Sequence, residues 1–99
     1  MAALPLFYVD FNELMDIDVV LFSKTDVRKD ASGNDVHISE GLEVAIYSDD
    51  IGLDGKPDNL IAEGVVIPNT FTKHFANVKW CCRINWKGIR HQSDVTDVT

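Results

Sequence analysis

The stretch Val78-Lys79-Trp80-Cys81-Cys82-Arg83-Ile84-Asn85-Trp86 holds both cysteines and both tryptophans of a 99-residue chain. Successive side chains of a strand point to opposite faces, so a strand here splits into two rows. Val78, Trp80, Cys82, Ile84 and Trp86 form an apolar row, and Lys79, Cys81, Arg83, Asn85 and Lys87 a cationic one. The alternation predicts a strand over 77–86, with the two sulfurs on opposite sides and both tryptophans inward. Cys82 then serves as a small core hydrophobe. Cys81, between cations, has a setting that lowers a thiol pKa. A nucleophile there also needs a base, His74 or His91, and an orienting Asp, and no spacing in the chain brings these together. A disulfide between the two is awkward in an extended strand. His37, His74 and His91 are scattered and lack zinc-site spacing, so no metal, cofactor or catalytic residue is assigned and the chain is read as a non-enzyme.

Working outward, the same period of two recurs. Residues 17–23 read as the first strand, with Ile17, Val19 and Leu21 opposite Asp18, Val20 and Phe22. Val36–Ile38 returns as a short strand after the turn signal Ser32-Gly33-Asn34-Asp35. Leu42–Ser48 follows with Leu42, Val44 and Ile46 inward. Leu60–Ile67 is apolar on both faces apart from Glu63, which predicts a strand covered on both sides, bulged at Gly64, or buried against another subunit. Residues 89–92 make a short fifth strand. Asp10-Phe11-Asn12-Glu13 has the form of a helix-capping box, and Thr70–Ala76 suits one helical turn.

These elements predict a mostly β chain: a small antiparallel barrel or strongly bent sheet of about five strands, with one or two short helical turns. The spacing is similar to an SH3-like barrel in architecture, without the aromatic peptide-groove signature of true SH3 domains. One domain spans 1–92, and 93–99 is expected as a frayed tail. No run reaches the ~18 apolar residues that cross a bilayer. The apolar start Met1–Val9 lacks a basic segment and a cleavage site, so the expected location is cytoplasmic.

The chain carries a formal charge of −7, unevenly spread. No Asp or Glu occurs between Gly64 and Ser93, where Lys73, Lys79, Arg83, Lys87 and Arg90 all fall. That basic row is the candidate partner-binding set. Cross-strand pairing with Glu43 or Glu63 is the plainer use of the same charges. Overall acidity disfavours a general nucleic-acid binder. Asp50-Ile51-Gly52-Leu53-Asp54-Gly55 places acids and a glycine as a calcium loop does. Gly52 at its third position and Ile61 at its twelfth break the pattern and favour a plain hairpin loop. No phosphate-cradling glycine motif is present.

The expected function is an acidic protein-interaction module, an accessory subunit or an inhibitor or immunity-like binder, with self-association as a homodimer through strand 60–67. The alternative is a nucleic-acid or ribonucleoprotein-associated module that uses the basic row at residues 73–91.

Overall fold

A computed structural model describes residues 4–11, 17–52, 54–70 and 76–93. Eight strands follow in chain order: β1 (Leu6–Tyr8), β2 (Val19–Ser23), β3 (Val27–Lys29), β4 (Asp35–His37), β5 (Glu43–Ser48), β6 (Leu60–Pro68), β7 (Trp80–Ile84) and β8 (Arg90–His91). The main sheet runs β1-β5-β6-β7-β2, with β8 also pairing to β6, and β3 and β4 form a separate hairpin. The chain is mostly β, a curled half-barrel sheet of about five strands.

Alternation explains the core. The inward residues Val20 and Phe22 of β2, Val44 and Ile46 of β5, Ala62 and Val66 of β6, and Cys82 and Ile84 of β7 form one buried cluster with Phe7, Val9, Phe11 and Ile38. Each large side chain of this kind contributes about 1.5–3 kcal/mol when removed from water. Gly64 lies in the same inward row, and a Cβ there would stand 2.2 Å from the Arg83 carbonyl oxygen and 2.9 Å from Cys82 Sγ. The missing side chain lets β7 close tightly on β6, and the sheet can curl. Gly64 pairs in unbroken register with both Val44 and Ile84, so of the three alternatives for this strand the bulge is absent.

The curl brings the two ends of the sheet together. Phe7 of β1 and Phe22 of β2 meet edge to face, with ring centroids 5.0 Å apart. No ladder joins β1 to β2 among the described residues. Arg28, from β3, spans this seam instead. Its guanidinium lies 5.4 Å from the Phe7 ring and 5.1 Å from the Phe22 ring. One Nη donates to the Phe22 carbonyl at 2.5 Å and the other to the Tyr8 carbonyl. Ala31 N also donates to the Leu6 carbonyl at 2.7 Å. The β3–β4 hairpin therefore straps β1, whose unpaired edge would otherwise invite another strand.

Several expectations need correction. Among the described residues all eight named elements are strands, and neither expected helical turn is among them. Val9 N instead bonds to the Tyr47 carbonyl at 2.9 Å, which keeps the chain in the sheet up to the capping signal. The rest of that signal and most of Thr70–Ala76 lie outside the described residues. The sheet is also not wholly antiparallel: β1 runs parallel to β5, Leu6 opposite Ala45 and Tyr8 opposite Tyr47. The fourth main strand is 80–84 rather than 77–86, and the first is 19–23 rather than 17–23. Register slips between Leu21 and Ser23 where β2 meets β7, with Phe22 the extra residue on β2. Val78, which precedes β7, packs with Cys81 rather than in the Cys82 row.

Candidate functional site

Cys81 and Cys82 project to opposite faces, but the face of Cys81 is not a cationic surface. Both thiols are fully buried. Cys81 packs with Val19, Leu21, Val78 and Ile67 in a second cluster on the outer side of the sheet. Its Sγ lies 3.6 Å from Asn69 Oδ1, and Asn69 Nδ2 is held by the Val78 carbonyl at 2.8 Å. Burial raises the Cys81 thiol above its ordinary value. Burial, with a smaller contribution from Cys81, pushes Cys82 up to about 12. The expected lowering of the Cys81 pKa is thus reversed, because lost solvation outweighs cations that point elsewhere. A thiol in this state is a packing group.

The cations of the basic row are mostly engaged. Lys79 Nζ reaches Asp26 at 2.7 Å, and Trp80 Nε1 donates to the same carboxylate at 2.9 Å. Hydrogen bonds from Lys79 first and Trp80 second hold the Asp26 carboxyl below its usual range. Lys87 Nζ lies 3.4 Å and Arg90 Nη2 3.8 Å from Glu63 Oε1. Lys73 lies outside the described residues, as does His74. Arg83 differs: among the described residues its side chain makes no ion pair or hydrogen bond, and neither does that of Glu43. Both are exposed.

Register explains their position. Glu43 pairs across from Val65 and Val65 across from Arg83, so the two ions flank one valine on the outer face. They line an open groove of about 350 Å³ with Glu63, Val65 and Lys87. The outward row of β6, namely Ile61, Glu63, Val65 and Ile67, is half-buried throughout. Beside it, Tyr8 and Tyr47 stack edge to face at 5.5 Å. Both backbone edges of β6 are taken by neighbouring strands, which leaves only this side-chain face for contact.

Trp86 is 89% exposed, contrary to its expected place in the apolar row. The strand stops at Ile84, and Asn85 opens a turn: Lys87 N bonds to Asn85 Oδ1 at 3.1 Å and Gly88 N to the Asn85 carbonyl at 3.0 Å. Gly88 has φ of 70°, the left-handed value that glycine tolerates. Lys87 Nζ lies 5.8 Å from the Trp86 ring, so the indole adjoins the Glu63 end of the groove.

The acidic loop 49–59 behaves as a hairpin loop. Gly52 N bonds to the Lys56 carbonyl at 2.8 Å and Asp58 N to the Asp50 carbonyl at 2.9 Å. Asp50 Oδ2 is 3.0 Å from His91 Nε2. Asp58 receives Ser93 through both its backbone N–H, at 3.0 Å, and its hydroxyl, at 2.8 Å. These two donations lower the Asp58 pKa, and they anchor Ser93, the first residue of the expected tail. Among the described residues no three His, Cys, Asp or Glu side chains gather as metal ligands. No helix among them is long and apolar enough to cross a membrane.

Three participants escaped the sequence reading: Asp26, Arg28 and the exposure of Trp86. Asp26 and Arg28 stand in a polar stretch with no local pattern, and their partners lie up to 54 residues away. For Trp86 the signal existed, as Asn85 followed by Gly88 is turn chemistry. No family model, curated protein or solved structure matches the chain.

Proposed function

We propose that this chain is a non-catalytic protein-interaction module, and that the outer face of β6 with Trp86 at its rim is the docking surface. The observation that carries this is a half-exposed apolar row on a central strand, adjoined by a fully presented indole. Exposed tryptophans and tyrosines beside a groove are the residues that dominate binding energy at protein interfaces. Chemistry has little to work with, because both thiols are buried and protonated. The pairing of Lys79, Lys87 and Arg90 with carboxylates favours a protein partner over a nucleic acid, since it uses up charge that phosphates would need.

The test is capture from a lysate of the source cells at low and moderate salt, with wild-type and Trp86→Ala proteins side by side. A protein partner retained by wild-type and lost by Trp86→Ala is the expected result. Nucleic acid as the sole bound species, released by moderate salt, would overturn the reading. So would a bound protein set indifferent to Trp86.

A further inference from the structure

We infer that the partner for this face is a second copy of the chain, joined by reciprocal pairing of Glu43 with Arg83 across a two-fold axis along β6. The inference rests on the reading of this face as a docking surface and names its occupant.

Four observations point the same way. Glu43 and Arg83 are exposed, opposite in charge and unpaired among the described residues. They lie one strand to either side of β6, level with Val65. Strand spacing puts their Cα atoms roughly 10 Å apart, with the valine side chain between them. The apolar positions Ile61 and Val65 run along the outer side of β6 itself, half-buried, and Ile67 continues the row into the cluster around Cys81.

A closed dimer requires a patch complementary to itself, in which residue i meets j and j meets i. A two-fold axis parallel to β6 and above Val65 meets that requirement. It carries Glu43 of each copy over Arg83 of its partner, and the Val65 side chains over each other. The two β6 strands then run alongside each other at about the 10 Å spacing of packed sheets. The outward curl sets Glu43 and Arg83 further apart than that, a gap that their long side chains span. Glu63 also falls on the axis, where two carboxylates would face each other. Each already has Lys87 and Arg90 of its own chain beside it, which removes the repulsion. Two chains of net charge −7 repel at long range. Association therefore needs opposite charges placed against each other at the contact, and this pair supplies them twice.

Sedimentation of the full chain at high micromolar concentration tests the arrangement with four samples: wild-type, Glu43→Arg, Arg83→Glu, and an equimolar mixture of the two variants. Wild-type is expected as a dimer. Each variant places like charges together twice in its own dimer and is expected to dissociate, its affinity lowered about tenfold or more. The mixture is expected to dimerise again, because the arginine introduced in one chain then meets the glutamate introduced in the other, and the native pair forms at the second contact. Rescue on mixing excludes misfolding as the cause of dissociation, and it excludes a salt bridge within one chain. A monomeric wild-type overturns the inference. So do variants that stay dimeric, or a mixture that stays monomeric. The docking-surface reading fails on a separate result, a captured protein set unchanged by Trp86→Ala.

Discussion

The two faces of the curled sheet come from the same strands, one residue out of phase, yet they are built to different rules. The inner face carries Val44, Ile46, Val66 and Cys82, all with no measurable exposure. Along β6 the outer face carries Ile61, Glu63, Val65 and Ile67, all half-buried, with exposed ions on either side. A core residue answers to its packed neighbours, whereas an outer residue is free to answer to a partner. Substitutions on the inner face and on the Ile61–Val65 part of the outer row are therefore expected to separate folding from the proposed binding, whereas the outer cluster around Cys81 is packed like the core.

The largest effect is expected at Gly64, where the inner face admits no side chain. Gly64→Val places carbon against the Arg83 carbonyl, a backbone atom that cannot rotate aside. Ordinary overpacking costs about 1–3 kcal/mol. Here the loss should exceed that range and leave the chain unfolded by circular dichroism. A folded Gly64→Val protein would mean that the sheet is less tightly curled than described.

Next in size is Arg28, which ties the inner face shut at its seam. Arg28→Met keeps much of the aliphatic stem but leaves the Tyr8 and Phe22 carbonyls without their donors. Hydrogen bonds from a charged group contribute about 1.5–3 kcal/mol. A loss of that order in a urea titration is the expected outcome. Arg28→Lys should recover only part of it, since one ammonium lacks the planar fork that reaches both carbonyls. Unchanged stability in Arg28→Met would show that the strap is decorative.

The same contrast marks what could be read from the chain alone. Period two gave the correct side for Val44 and Ile46 and the separation of Cys81 from Cys82, whereas over 17–23 it grouped Val20 with Phe22 without telling which face is inward. It failed where a long-range contact decides. Leu6-Phe7-Tyr8 is too short to show alternation, and its parallel pairing to β5 depends on residues some forty positions away. For the cationic row of β7 the plainer expectation, pairing with Glu63, is met by Lys87. Cys81 within that row is covered, Lys79 turns to Asp26, and only Arg83 stays unpaired among the described residues. Exposure on an outer face depends on what else the fold lays over it, and no local pattern encodes that.

A smaller effect is expected at Asp26, an outer-surface carboxylate that holds Lys79 and Trp80 together. Its pKa is depressed in the folded chain by those two donors. The carboxylate's contribution is therefore present above its ordinary value of 3.8 and fades as pH falls through the lower folded value. Acid titration followed by Trp80 fluorescence should show a step below pH 3.8 that Asp26→Asn removes. The carboxylate is solvent-exposed, and added salt should weaken the step. A step at the same pH in Asp26→Asn would assign it to another group.

The smallest change in stability is expected at Trp86, the residue that pattern alone had placed in the core. A buried tryptophan replaced by alanine costs about 3–5 kcal/mol. An exposed one away from packing falls within about 0.5 kcal/mol of neutral. Trp86 is 89% exposed, and its described ring contact is with Lys87, itself at the surface. Trp86→Ala should therefore melt within a few degrees of wild-type while losing its partner in the capture experiment. That combination is what a docking residue requires, because an indole left in water gains nothing for the fold. If Trp86→Ala instead loses several kcal/mol, the indole packs against the chain itself, and the boundary drawn here between the folding face and the binding face must be moved to include the β7–β8 turn.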